Sequence, residues 1–256
     1  GGYIAAGYNT FSIDGDCDEN HCSSDFWILK IAANGEMEWQ RCLGGSQEDY
    51  SYSILETKDT GFITVGLTKS GDGQVQGNHS VIYEDIWVVK LNSEGEIEWS
   101  ECYGGTGEDS AHSIIEEDDG FIIFGYSNSL VLDGQEKHDD KVRLSMKNDD
   151  FCWVLKIDNQ GNVEWHKSYE NDESIFVSDA EKTEDGGFLI GGTLTKDDGS
   201  NEDRDFWFLK INKTGDKEWE KTYGGSGYEG CHSIEKADDG NIIAIGPSKS
   251  MTEILL

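Results

Sequence analysis

All eight tryptophans of this 256-residue chain fall into two series with one common period. The first series lies in Asp-led apolar runs: Asp25-Phe26-Trp27-Ile28-Leu29-Lys30, Asp85-Ile86-Trp87-Val88-Val89-Lys90, Asp150-Phe151-Cys152-Trp153-Val154-Leu155-Lys156 and Asp205-Phe206-Trp207-Phe208-Leu209-Lys210. Twelve residues after each comes Glu-Trp: Glu38-Trp39, Glu98-Trp99, Glu164-Trp165 and Glu218-Trp219. A period of about 60 residues marks a repeat architecture, in which one supersecondary unit is stacked several times. With every Trp in the framework, none is spare for a ligand cage unless a framework Trp serves twice.

Each unit also carries a glycine-headed run: Gly2-Tyr3-Ile4, Gly61-Phe62-Ile63, Gly120-Phe121-Ile122, Gly187-Phe188-Leu189 and Gly240-Asn241-Ile242. A fourth element reads Tyr52-Ser53-Ile54, His112-Ser113-Ile114 and His232-Ser233-Ile234, with a degenerate copy near Ser178. These short runs are β-branched or aromatic and bounded by Gly, Asp and Asn, which is the strand signature. The expectation is an all-β chain forming one β-propeller domain over 1–256. Its four-stranded antiparallel blades would be repeat copies at roughly 1–59, 60–118, 119–185 and 186–239, with a partial fifth copy over 240–256. The glycine run occurs five times and the other strands four times, so strand exchange between the N- and C-terminal segments is expected to close a ring. The opening Gly1-Gly2-Tyr3-Ile4 reads as the interior of a repeat, so a window of a longer protein is expected.

Ala33-Asn34-Gly35, Ser93-Glu94-Gly95, Asn159-Gln160-Gly161 and Lys213-Thr214-Gly215 fit a type I turn with a left-handed glycine bulge. That register would set Lys30 opposite Glu38, Lys90 opposite Glu98, Lys156 opposite Glu164 and Lys210 opposite Glu218. Four copies of one Lys/Glu pair read as framework rather than as catalytic acid and base.

These strings, with Tyr103-Gly104-Gly105-Thr106-Gly107-Glu108-Asp109 and Tyr223-Gly224-Gly225-Ser226-Gly227, resemble bacterial and archaeal surface β-propeller repeats of the SBBP type over essentially the whole chain. The third unit departs, with Tyr169-Glu170-Asn171-Asp172 in place of the glycine pair. The resemblance implies an extracellular or cell-surface propeller, often within long multi-repeat proteins, and supplies no catalytic residues.

The chain holds 52 acidic against 20 basic residues, a formal charge of −32. Nucleic-acid affinity rests on neutralising phosphates with Lys and Arg, so nucleic acid is excluded as a partner, and an anionic membrane surface is disfavoured. There is no apolar stretch long enough for a transmembrane helix.

Function is sought where the units differ. In Asp14-Gly15-Asp16-Cys17-Asp18-Glu19-Asn20-His21-Cys22, alternate carboxylates Asp14, Asp16 and Asp18, followed by Asp25, could gather oxygens around calcium. However, Glu19 replaces the turn glycine and no bidentate Glu closes the loop. Cys17 and Cys22 could bridge locally in an oxidising compartment, a reading preferred over zinc. The crossover acids Glu48-Asp49, Glu108-Asp109, Asp172-Glu173 and Glu229 precede the innermost strands and could ring a channel mouth with cation-binding carboxylates. The simpler reading makes Asp49 and Asp109 acceptors of backbone N–H groups in tight turns. The insert from Tyr126 to Asp149, with Lys141, Arg143 and Lys147, could carry partner specificity. Asn78-His79-Ser80 and Asn212-Lys213-Thr214 are glycosylation acceptors if the chain is exported. His112 and His232 share one repeat position and read as strand residues.

No nucleophile elbow, Walker loop or metal-protease motif is present, and an enzyme is not expected. The leading expectation is a non-catalytic structural or adhesive surface scaffold with no required cofactor, self-associating or binding other surface proteins, with a tandem or head-to-tail fibre as one form of that assembly. The alternatives are a calcium-assisted glycan-binding propeller and, less favoured, a propeller hydrolase or lyase.

Overall fold

Each glycine-ended connection folds one strand tightly back on the last. In a computed structural model of the chain, which describes residues 1–9, 23–80, 82–129, 150–196, 203–237 and 240–249, Ala32 N–H donates to the Glu36 carbonyl at 2.8 Å. Gly35 N–H donates to the Ala32 carbonyl at 2.9 Å. The same two bonds close Asn92–Glu96, Asp158–Asn162 and Asn212–Asp216. Gly35, Gly95, Gly161 and Gly215 have φ of 87, 76, 85 and 78°, a left-handed region that costs other residues roughly 1–2 kcal/mol.

The described residues are all-β, with antiparallel pairing throughout the sheets. The first sheet holds β1 (Gly2–Tyr8), β2 (Phe26–Ala32) and β3 (Met37–Leu43). The second holds β4 (Asp49–Glu56), β5 (Phe62–Thr68), β6 (Asp85–Leu91) and β7 (Ile97–Tyr103). The third holds β8 (Asp109–Glu116), β9 (Gly120–Ser127), β10 (Phe151–Asp158) and β11 (Val163–Tyr169). The fourth holds β12 (Ser174–Lys182), β13 (Phe188–Thr195), β14 (Arg204–Ile211) and β15 (Lys217–Tyr223). A final pair joins β16 (Ser233–Lys236) to β17 (Ile242–Ile245).

Apolar residues fill the spaces between successive sheets. Phe26, Phe62 and Trp87 lie between the first and second, Val88, Phe121 and Trp153 between the second and third, and Phe124, Phe188 and Trp207 between the third and fourth. The edge strands meet along one side, β1 against β4, β4 against β8, β8 against β12, and β12 against β16. Among the described residues, strand exchange between the terminal segments is not formed: β16 pairs with β17, and β1 pairs only with β2. The physical reason is local. β17 repeats the β1 motif and reaches β16 through a short connection, which costs far less chain entropy than bringing β1 from the other end.

The Lys/Glu register also differs from expectation. Lys30, Lys90, Lys156 and Lys210 face Trp39, Trp99, Trp165 and Trp219, because a bulge follows each lysine and makes the glutamate the extra residue. The ion pairs form regardless. Lys90 Nζ sits 3.0 Å from Glu98 and 3.0 Å from Asp59, and Lys210 Nζ 2.9 Å from Glu218 and 3.0 Å from Asp185. Lys156 reaches Asp119 at 2.6 Å and Glu164 at 3.8 Å, and Lys30 reaches Glu38 at 3.9 Å. The buried ammonium of Lys90, Lys156 and Lys210 is thus held between two carboxylates, which offsets its desolvation.

A second bulge recurs in the first strands, between Ser51 and Ser53, Ala111 and Ser113, and Val177 and Asp179. It pushes a carbonyl toward the neighbouring strand, where Gly66, Gly125 and Gly192 stand; a Cβ at any of them would fall inside 3.0 Å of that carbonyl. Gly7 holds the same repeat position without a facing first strand and has nothing within 4 Å. Gly125→Ala is therefore expected to cost about 1–3 kcal/mol by overpacking, and Gly7→Ala close to nothing, as read from paired urea midpoints.

Candidate functional site

The crossovers bring buried carboxylates together in pairs. Asp49 and Asp109 open β4 and β8, and each is fully buried. Asp49 accepts the Gly45 N–H at 2.8 Å, the Ser70 hydroxyl at 2.9 Å and the Thr68 hydroxyl. Asp109 accepts the Gly105 N–H at 2.9 Å and the Ser129 hydroxyl at 2.6 Å. This is the turn-acceptor arrangement. Glu229 repeats it, taking the Gly225 N–H at 3.0 Å. In the third unit Ser174, not Asp172 or Glu173, opens the first strand, so the series of crossover acids is interrupted there.

Asp49 and Asp109 each face the aspartate that precedes or opens the third strand of the previous unit. A Cβ on Gly104 would lie 2.6 Å from both Asp109 Oδ2 and Asp85 Oδ1. Gly44 is likewise wedged between Asp25 and Asp49. Only glycine leaves room, which is why the crossover carries its glycine pair. Burial raises Asp49 above the ordinary carboxylate range, opposed by its hydrogen bonds from Thr68, Gly45 and Ser70. Burial, with a smaller contribution from the Asp85 charge, raises Asp109 to about 7 against the bonds it accepts. The partners of the third-strand aspartates differ from unit to unit. Asp85 Oδ2 accepts the His79 N–H at 2.7 Å and lies 2.6 Å from the His79 ring, whereas Asp205 pairs with Lys196 at 2.8 Å.

Asp25 and Asp49 thus come together, and Asp109 meets Asp85 instead. Among the described residues no group of three or more His, Cys, Asp or Glu side chains is placed to hold a metal ion. Asp14, Asp16, Asp18, Cys17 and Cys22 lie outside the described residues, as do Lys141, Arg143 and Lys147. Cys102, Cys152 and Cys231 are buried free thiols, and Cys42 is disulfide-bonded. Asn78 donates its amide to the Ser70 carbonyl at 2.8 Å, and Asn212 its amide to Asp216 at 3.2 Å.

The first-strand bulges gather a row of rings that the expected plain strands do not foresee. Tyr52 and His112 are the bulged residues of β4 and β8, and their rings stack at 4.4 Å. His112 also contacts Tyr126 at 5.5 Å, Tyr126 meets Phe176 at 5.2 Å, and Tyr8 meets Tyr50 at 4.6 Å. Burial lowers His112 to about 4, so its ring is neutral at pH 7. Burial, then the neighbouring Tyr8, Tyr50 and Glu84, raises Tyr52 to about 12. Glu84 is itself raised by burial and by Glu108 and Glu48. The sequence signal for these bulges is the interior strand glycine, Gly66, Gly125 or Gly192, which marks close backbone approach.

At the fourth unit Asp179 takes over the stitching between first strands. It accepts Ser113 Oγ at 3.2 Å from β8, and Ser233 Oγ at 2.9 Å and Ile234 N–H at 3.0 Å from β16. Among the described residues no helix is long and apolar enough to cross a membrane. No protein-family model and no curated protein matches this chain.

Proposed function

We propose that the sheets are blades of a β-propeller and that the domain is a non-catalytic extracellular scaffold at a cell surface, joined to other copies or to other surface proteins. The observation that carries this reading is the engagement of the crossover acids and the repeat lysines by framework groups, although Oδ1 of Asp109 and of Asp205 is buried without a hydrogen-bond partner. Asp49, Asp109 and Glu229 are committed to turn amides and hydroxyls, and Lys90, Lys156 and Lys210 to paired carboxylates. Groups so engaged build a frame and have little reach toward a substrate. The disulfide at Cys42 suits an oxidising compartment, and the charge of −32 suits a rim that stays hydrated.

A second reading, calcium-assisted glycan binding, is favoured by the row Tyr8, Tyr50, Tyr52, His112, Tyr126 and Phe176, since aromatic faces beside a carboxylate suit a sugar ring. One set of assays separates the readings. The chain is offered to hydrolase and lyase substrates and to a glycan array, with calcium and with a chelator. The scaffold reading expects neither turnover nor calcium-dependent sugar binding. Turnover abolished by Asp49→Asn or Asp109→Asn would establish the enzyme instead, and calcium-dependent retention of a glycan would establish the lectin.

A further inference from the structure

Strands β4 and β8 lie inside the series, β4 packed between β1 and β8, and β8 between β4 and β12. What they leave open is therefore a property of the frame. Their bulged residues make one aromatic surface. The Tyr52 and His112 rings stack at 4.4 Å with 8° between their planes, and Tyr52 keeps 40% of its surface exposed. His112 Nε2 lies 3.1 Å from Ser110 Oγ, and Tyr126 and Phe176 continue the row. Burial keeps the His112 ring neutral, so the row offers π faces and no positive charge.

Three half-buried glutamates gather at the crossover end of the same strands. Glu48 and Glu108 immediately precede β4 and β8, and the Glu84 carbonyl accepts the Asp109 N–H at 2.8 Å, which fixes Glu84 beside the start of β8. Burial raises Glu84, and Glu108 and Glu48 raise it further. Burial foremost, and then the Glu84 charge among others, raises Tyr52 and Tyr126. Acids and rings thus share one space. Lys69 pairs with Glu48 at 3.0 Å. Among the described residues, no other side chain donates to the carboxylate of Glu84 or of Glu108. A half-buried carboxylate with no cation against it carries an uncompensated desolvation cost, and an aromatic face attracts a cation. A sugar would meet the rings and leave the charges unmatched, and a metal ion would meet the carboxylates and not the rings. A positively charged organic group meets both.

We propose that the surface formed by Tyr52, His112, Glu84 and Glu108 takes a lysine or arginine side chain of a partner protein. This names the chemistry of the partner that the scaffold reading calls for, and it rests on that reading. The charge of −32 works in the same direction, because it steers a basic partner toward the chain.

NMR on protein labelled at its tyrosine and histidine rings tests this. The titrants are a short peptide containing lysine and arginine, the same peptide with serine at those positions, and choline beside its neutral tert-butyl analogue. The basic peptide is expected to shift the Tyr52, His112 and Tyr126 ring signals, and to bind more weakly as salt is added. Choline is expected to bind less tightly, and the serine peptide and the neutral analogue not at all. Glu84→Gln and Tyr52→Leu should each weaken binding of the basic peptide about tenfold. Lys69→Gln removes the competing cation and should strengthen it about threefold, a direction that a damaged fold does not produce. Ring signals unmoved by the basic peptide would overturn the proposal, as would equal binding of the serine peptide. Choline bound where the peptide is not would overturn it in favour of a small organic cation, and a glycan moving the same signals with the peptide inert would do so in favour of the lectin. A chain that neither binds the peptide nor turns over substrate leaves the scaffold reading standing, so the two failures are distinguishable.

Discussion

Trp207→Ala is expected to lower the unfolding free energy by about 3–5 kcal/mol, the range for emptying a fully buried aromatic site. The indole is wholly shielded and packs between the third and fourth sheets with Phe124, Val154, Phe188 and Leu209. Its N–H also donates to Glu220 at 2.7 Å, so truncation removes a partner from a half-buried carboxylate as well as opening a cavity. Against a total of roughly 5–15 kcal/mol for a folded domain, that is about a fifth or more. Stability in a repeat series is carried by neighbouring interfaces. Amide exchange should therefore rise first in β12–β15 while β4–β7 stay protected. Trp219→Ala is the internal control: it is twelve residues away, in the same repeat frame, and exposed. Compared in the monomer, it should shift the urea midpoint little, and equal midpoints for the two variants would refute the packing assigned to Trp207.

Asp109→Asn is expected to stabilise the protein above neutral pH. Burial raises Asp109 to about 7 from an ordinary 3.8, so between these values the folded chain holds a proton that the unfolded chain has released. A group raised in this way favours folding at low pH and loses that contribution as pH climbs through its window, with the full cost present above about 7. At 1.36 kcal/mol for each pK unit, the cost is on the order of 4 kcal/mol. Asparagine removes the charge, and its amide oxygen still accepts the Gly105 N–H. The stability gain of the variant over wild type should grow by about 2–3 kcal/mol between pH 5 and pH 8. A gain that does not change with pH would show that the Asp109 carboxyl is ionised across that range. Asp109→Ala, which leaves the turn amide and Ser129 without their acceptor, should destabilise at both pH values.

Much of the frame was legible because its causes are local. The turn glycines Gly35, Gly95, Gly161 and Gly215 announce left-handed positions, and their hairpins form as the spacing requires. The apolar runs became strands, and Asp49 and Asp109 became turn acceptors. What was not legible depends on residues distant in the chain. The bulge after each repeat lysine moved the glutamate out of register, although the ion pair survived because lysine is long enough to follow it. Asp85 emerged as the partner of Asp109 only through the crossover that folds both around Gly104. The stack of Tyr52 on His112 joins residues from two different sheets, and only the interior glycines Gly66 and Gly125 hint at the bulges behind it.

The period of the tryptophans and the placement of glycine, acting through backbone geometry and strand alternation, determined by themselves an all-β series of hairpins with antiparallel four-stranded sheets. The tertiary structure decided how those sheets meet. It set which carboxylates share a buried crossover, which rings stack across neighbouring sheets, and whether β16 is taken by β17 or by β1. These outcomes turn on burial and on the cost of chain closure, and both depend on which segments arrive beside one another in space.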